Sequence, residues 1–297
     1  MPIGSLYDEN YIRPPNEADS VIIRVTRGCN WNRCRFCGIY TAFGVPFEIP
    51  PIEKVLDDVA RARNIFGPEP RTFFLADADP ICVEPGNFMR VTRAIRETFP
   101  KVERITCYGR MATAWHRRKS LCALREAGLD RIHAGLETGD DELLRFHRKA
   151  INQKRMIDAG KAVVESRIQL SFYVLLGLGG LARWRQHVEG TIKVLNEVRP
   201  QFVRFRRLWV HPRCPLRQEM VAGTFREQGP EGTVVETREI LAGIAFPCQV
   251  ECMHHNDYIN FECSLPEERN TTLAAIDDFL ALPCEHKEKV YGRRSSI

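Results

Sequence analysis

From position 21 to about 207, short β-rich runs alternate with segments of helical period, and this alternation leaves the chain few folds to adopt. The candidate strands are VIIRVT at 21, TFFLAD at 72, RITCYG at 104, RIHAGLE at 131, QLSFYVLLG at 169 and FVRFRRL at 202. Between them, helix-period segments run at about 51 to 66, 86 to 98, 116 to 127, 152 to 166 and 183 to 197, several ending at Gly or Pro. Strands joined by helical connections read as repeated βαβ units, which predicts a parallel sheet.

An open doubly wound sheet and a barrel both satisfy that alternation, and the strand faces separate them. In RIHAGLE, Ile132, Ala134 and Leu136 share one face while His133, Gly135 and Glu137 share the other. FVRFRRL sets Val203 and Phe205 against Arg204 and Arg206, VIIRVTR sets Ile23 and Val25 against Arg24 and Thr26, and RITCYGR sets Ile105 and Cys107 against Thr106, Tyr108 and Arg110. A strand covered by helices on both sides is apolar on both faces. One-sided polarity fits strands curved around a polar lumen, whereas a complete eight-stranded barrel packs its interior as a core. The prediction is an α/β fold, a partial (β/α)6 TIM-like barrel over 21–212. An N-terminal arm over 1–20 precedes it, and a short α+β C-terminal extension over 213–297 follows. Within the extension a helix near 233 to 244, a strand near 248 to 252 and a helix near 267 to 281 are expected, with the terminal YGRRSSI frayed.

Composition narrows the functional classes. No apolar run approaches the roughly 20 residues that span a bilayer, which predicts no membrane insertion. The N-terminus has neither a basic start nor an apolar centre, so no secretory signal is expected and the cytoplasm is the predicted compartment. Eleven cysteines, an odd number spread over 297 residues, argue for reduced thiols, some of them ligands, over a disulfide framework. A net charge of +5 is mildly basic and compatible with an anionic substrate.

Three of those cysteines, Cys29, Cys34 and Cys37, lie in TRGCNWNRCRFCGIY, directly after the first strand, where α/β barrels build their active sites. Structural zinc takes four protein ligands and the loop holds no histidine. A cluster of four irons has four corners, and three thiolates leave one open. At this point the sequence resembles the radical S-adenosylmethionine superfamily, in which three cysteines occupy the loop after the first barrel strand. The spacing here, C-x4-C-x2-C, is one residue longer than the usual C-x3-C-x2-C and resembles a branch of that superfamily. Phe36 before the third cysteine, FFLADADP, AGLETGDDELL, VLLGLGG and RPQFVRFRRLWVHP are similar, in order, to the family's successive strand-end motifs.

The resemblance implies that Cys29, Cys34 and Cys37 hold a 4Fe-4S cluster whose fourth iron takes the amino and carboxylate groups of S-adenosylmethionine. Reductive cleavage of the cofactor then yields methionine and a 5′-deoxyadenosyl radical, which abstracts a substrate hydrogen. It places Asp77, or backbone carbonyls of FFLADADP, where the family receives the methionine amino group, since the Gly-Gly-Glu of that segment is missing here. It places Glu137 at the ribose hydroxyls or the methionine part of the cofactor, Phe36 and Trp31 as shields of the cluster, and GLGG at 177 to 180 against the adenosine. Arg27, Arg33 and Arg35 are candidates for adjusting the cluster potential. Arg204 and Arg206 need partners on a strand. Glu137 or Asp77 is expected to pair with one of them, and the cofactor or a substrate carboxylate with the other. The segment HPRCPL at 211 resembles a P-G-T-P-L turn with Arg213 and Cys214 in place of Gly and Thr.

Cys248, Cys252, His254, His255 and Cys263 fit no standard metal spacing, so buried cysteines are expected there. HRRKS at 116 reads as a solvated helix start. With 20 residues before the first strand, cobalamin-dependent methyl transfer is not expected, and the C-terminal part is short for an auxiliary-cluster or RNA-binding module. The expectation is an enzyme acting on a small, anionic substrate, with an electron donor such as flavodoxin or ferredoxin. Nucleic acid is allowed but not favoured, with tRNA modification as the alternative enzyme reading and an iron-sulfur or zinc scaffold as the non-enzymatic one.

Overall fold

The β-branched and aromatic runs become strands almost residue for residue. In the computed structural model, β1 is Val21–Arg24, β2 Thr72–Ala76, β3 Arg104–Tyr108, β4 Arg131–Glu137, β5 Gln169–Leu176 and β6 Phe202–Arg207, with β7 at Cys248–Cys252 and β8 at Phe261–Leu265. The structure describes residues 6–7 and 11–295, so part of the expected arm over 1–20 and the last two residues of YGRRSSI lie outside the described residues.

The helices are α1 (Ile39–Phe43), α2 (Ile52–Phe66), α3 (Pro85–Thr98), α4 (Met111–Arg117), α5 (Leu121–Glu126), α6 (Asp141–Phe146), α7 (Gln153–Glu165), α8 (Gly180–Val198), α9 (Leu216–Val221), α10 (Pro230–Gly243), α11 (Arg269–Ala281) and α12 (Cys284–Ser295). α2 turns Val55, Val59 and Ala62 into the core at the i, i+4, i+7 spacing of an amphipathic helix and stops at Gly67, whose φ is 68°. α3 starts where Glu84 accepts a bond from the Asn87 amide at 2.9 Å and Pro85 fills the first position. The helix expected at 116 to 127 is instead two, parted by a 3-10 turn at Arg118–Ser120, so HRRKS is a break and not a helix start. Met111 and Ala114 are buried and draw the first helix back to position 111, while the cationic run stays exposed or half-exposed.

The chain divides into two units, one made of Met1–Asn32, Ile39–Ala134 and Ala162–Leu170, the other of Arg33–Gly38, Gly135–Lys161 and Ser171–Ile297. In the first, β1, β2, β3 and the start of β4 pair in parallel, with Val21 opposite Phe73, Thr72 opposite Arg104 and Thr106 opposite Arg131. In the second, β5, β6 and β7 pair in parallel, with Ser171 opposite Phe202 and Phe202 opposite Gln249, and β8 closes antiparallel on β7. β7 thus joins β6 directly, and β8 is a strand the sequence reading left out, because FECSL carries polar residues on its outer face.

The first unit's apolar layer contains Phe73, Phe88 and Phe99, all fully buried, each contributing about 2 to 3 kcal/mol by leaving water. The opposite face carries the predicted polar residues, and they too are buried: Arg24, Thr26, Thr106 and His133. Residues before β1 cover part of it. Tyr7 and Tyr11 pack on Ile22, Phe74 and Ala76, and Glu17 reaches His133 at 3.1 Å, Ser20 at 2.6 Å and Arg104 at 3.2 Å.

Candidate active site

The loop after β1 leaves the sheet through a left-handed Gly28, φ 73°, whose missing Cβ would lie 2.6 Å from the Pro46 carbonyl oxygen. Asp77, at the end of β2, holds this exit. It is buried, its Oδ2 accepts the Gly28 amide at 3.3 Å and lies 3.7 Å from Arg24 Nε, and its own amide donates to the Thr26 carbonyl at 2.9 Å. Asp77 therefore braces the segment that carries Cys29.

Asp79 stands directly before the 3-10 turn Pro80–Cys82. Fully buried, it accepts Asn30 Nδ2 at 2.7 Å, Thr113 Oγ1 at 2.5 Å and the Arg110 amide at 2.9 Å, and Arg110 Nη1 in turn donates to Asn30 Oδ1 at 3.0 Å. Burial raises its carboxyl above the ordinary range despite these donors. The network fixes Asn30, next to Cys29, and the Arg110 guanidinium also lies 5.4 Å over the Trp31 ring. The Asn32 amide points at Cys29 Sγ from 3.4 Å, with Asn32 at φ 44°.

In the second unit, the segment with Cys34 and Cys37 is riveted at Arg35. The Arg35 amide donates to the His147 carbonyl at 3.0 Å, and its carbonyl accepts the Leu216 amide at 2.8 Å and the Cys214 thiol at 2.6 Å. Its guanidinium donates to the Phe146 carbonyl at 2.8 Å, lies 3.1 Å from Glu219 and stacks 4.7 Å over the Phe146 ring. Arg35 is thus committed to holding the loop. Cys214 takes the place of the hydroxyl that a threonine would bring to the HPRCPL turn, and burial pushes its thiol up, keeping it protonated as a donor. The Cys37 amide bonds back to the Cys34 carbonyl at 3.2 Å, closing a turn between the two thiols. Phe36, half-buried, meets the His147 ring edge-on at 5.7 Å and has Lys149 Nζ 5.6 Å over its face.

Glu137 ends β4 in a left-handed conformation, φ 62°, with Oε1 2.8 Å from Lys149 Nζ. Its carboxylate folds back over Gly135, where an added Cβ would lie 1.8 Å from Oε1, so glycine is required at 135 for this pose. Glu137 does not cap α6. Asp140 does, accepting the Leu143 amide at 2.8 Å.

Arg204 and Arg206 share one partner, Glu251 of β7, which the sequence reading did not name. Arg204 hydrogen-bonds Glu251 and Ser171, the latter at 3.0 Å, and Arg206 lies 3.5 Å from Glu251 Oε1 and 5.2 Å over the Tyr173 ring. The glycine turn Gly177–Gly180 is held by the Glu236 carboxylate on the Gly177 amide at 2.7 Å and by His147 Nε2 on the Leu178 carbonyl at 3.0 Å. Burial pushes the His147 imidazole down to about 4, so it donates as the neutral ring.

All eleven cysteines are free thiols, and Cys29, Cys34 and Cys37 are partly exposed. Cys248, Cys252 and Cys263 are buried as expected, and burial raises the Cys248 thiol to about 12. Among the described residues no group of three or more His, Cys, Asp or Glu side chains is arranged as a ready metal site. The case for a metal rests on donor chemistry and position on the fold.

Parallel strands with a thiol-bearing loop at the C-terminal end of the first strand define an α/β enzyme of the partial-barrel class. The sequence profile of the Radical SAM superfamily matches residues 23–189, more than half of the chain, and the chain belongs to that superfamily. Enzymes of the family use a 4Fe-4S cluster and S-adenosylmethionine. The chain is 22% identical over 209 residues to an uncharacterized methyltransferase of Pyrococcus horikoshii, covering 69% of this chain and 44% of the relative. Methylornithine synthase superimposes with a TM-score of 0.54 at 16% identity, covering 75% of this chain and 61% of that one. Coproporphyrinogen III oxidase from Escherichia coli superimposes at 0.57 and 14%, covering 75% and 51%. The chain therefore spans about half the length of the proteins it matches, and the likeness to the solved structures shows the partial-barrel fold. The donor set suits the family's cluster: three soft sulfur ligands without disulfide partners, one fewer than four irons require. No helix among the described residues is long and apolar enough to cross a membrane.

Proposed function

We propose that Cys29, Cys34 and Cys37 ligate a 4Fe-4S cluster and that the chain uses it to cleave S-adenosylmethionine reductively and abstract hydrogen from a small, anionic substrate. The observation that carries this reading is the investment in the cysteine loop. Asp77 and Asp79 brace its start, and Arg35 spends its amide, carbonyl and guanidinium between Cys34 and Cys37. A merely solvated loop needs no such anchoring. Bound there, the cluster supplies the electron that breaks the sulfonium carbon–sulfur bond.

The protein's own residues bind and orient. Glu137, fixed beside Lys149, presents a carboxylate suited to two ribose hydroxyls. The glycine turn offers close backbone approach to the adenosine, and Phe36 and Trp31 exclude water from the thiols. Asp77, engaged with Gly28 and Arg24, acts chiefly on the loop beside which the methionine amino group would lie. Arg204 and Arg206 meet a substrate carboxylate only by sharing themselves with Glu251. The reductant is a one-electron donor of the flavodoxin or ferredoxin kind, and the free thiols fit the cytoplasm.

Anaerobic reconstitution tests the reading. Iron and sulfide near four each per chain, and 5′-deoxyadenosine from S-adenosylmethionine plus dithionite, are expected. Protein that binds no iron, or holds it equally well after Cys34→Ala, overturns it. Deuterium moving from a labelled metabolite into 5′-deoxyadenosine then identifies the substrate. The name of the Pyrococcus relative supports a second reading, methyl transfer, which S-adenosylhomocysteine and a methylated product in place of 5′-deoxyadenosine would reveal.

A further inference from the structure

We infer that His147 is a positioning residue that ties the cysteine loop to the glycine turn and so sets the span across which S-adenosylmethionine is held. The inference rests on the reading above, in which one end of the cofactor meets the cluster and the other meets the turn.

Five contacts, all within one unit, carry it. The His147 carbonyl accepts the Arg35 amide at 3.0 Å, at the centre of the loop between Cys34 and Cys37. Its ring stands edge-on to Phe36 at 5.7 Å, touching the loop a second time. Its Nε2 donates to the Leu178 carbonyl at 3.0 Å, inside the turn. Phe146 and Phe225 enclose the same ring at 4.8 and 5.9 Å, so it has no room to swing. One residue thus bonds one segment through its backbone and the other through its side chain.

The far side of the turn is fixed independently. Glu236, fully buried on α10, accepts the Gly177 amide at 2.7 Å, and His187 of α8 lies 3.2 Å from the same oxygen. A turn held at Gly177 by one helix and at Leu178 by His147 cannot drift from the loop unless one of these bonds breaks.

The arrangement is also costly, which argues for a purpose. His147 Nδ1 is buried with no hydrogen-bond partner among the described residues. An unpaired buried polar atom is destabilising, and a phenylalanine would fill the same aromatic nest without it. What the imidazole adds is the Nε2 donor.

The test compares His147→Gln, which keeps a donor near the position of Nε2, with His147→Met, similar in length and without one. Both variants load iron and sulfide as the parent does, because the Arg35 contact runs through the backbone. His147→Gln binds S-adenosylhomocysteine with near-parental affinity, and His147→Met binds it about tenfold more weakly, the loss of one hydrogen bond. KM for S-adenosylmethionine rises by the same factor in His147→Met and returns in His147→Gln. Equal affinities in the two variants overturn the inference. If His147→Met does not fold, His147→Asn, too short to reach Leu178, takes its place and the same comparison decides. Failure of the wider reading looks different: the unsubstituted protein itself then neither holds iron nor binds S-adenosylhomocysteine.

Discussion

Cys29, Cys34 and Cys37 were visible in the sequence because a thiolate ligand is chemistry carried by one side chain, and their spacing lies within nine residues. Replacing any one of them with serine should leave the fold intact and abolish both iron loading and 5′-deoxyadenosine formation, read by iron analysis and chromatography. Glu17 shows the opposite case. Nothing in PPNEADS marks it, since its partner His133 is more than a hundred positions away. Burial alone would raise its carboxyl, but hydrogen bonds from His133 and Ser20 and the charge of Arg104 outweigh that and hold it at about 2 against an ordinary 4.5. A carboxyl lowered on folding stabilises fully above its unfolded pKa, and that contribution drains away as pH falls from 4.5 toward 2. Glu17→Gln should cost about 3 kcal/mol at neutral pH, and the gap between it and the parent protein in urea unfolding should close over that acid window. A gap that is constant with pH would show that the ion pair is not the source.

At the scale of elements, the six barrel strands were legible because alternation along a strand is local and survives any packing. The break between α4 and α5 was not, since it depends on which of Met111, Ala114 and Leu121 find the core. Nor was the reason for two glycines. α8 lies against the turn after β4 so closely that a Cβ on Gly190 would sit 2.7 Å from the Gly139 carbonyl carbon. Gly190→Ala should destabilise the protein by about 1 to 3 kcal/mol, measured by thermal or urea unfolding, because backbone must move to admit a methyl group. Gly135→Ala has a different expected signature. Its Cβ displaces Glu137 from Lys149, so the melting temperature should change little while S-adenosylmethionine affinity falls about tenfold in equilibrium binding. Unchanged affinity would remove Glu137 from the cofactor's contacts.

For the whole molecule, ligand binding to the native state adds stability by mass action. Reconstituted protein should unfold at a higher temperature than the iron-free chain, and a chelator should reverse the difference under anaerobic conditions. Excess positive charge, +5 over the chain, leaves the tRNA alternative testable at the same scale. RNA binding whose affinity falls steeply between low and physiological salt would favour it, and binding absent at physiological salt would leave the small-molecule reading in place. The sequence by itself determined the order of the six barrel strands, their parallel pairing, the thiol loop and the superfamily, because each is written in local periodicity or in side-chain chemistry at fixed spacing. Only the tertiary structure decided what those residues do to one another. It showed that Glu251 meets both Arg204 and Arg206, that Asp79 grips the cysteine loop, and that His147 bonds two segments at once. Those pairings join residues tens of positions apart or more, and a buried charge or donor takes whichever partner the fold brings within reach.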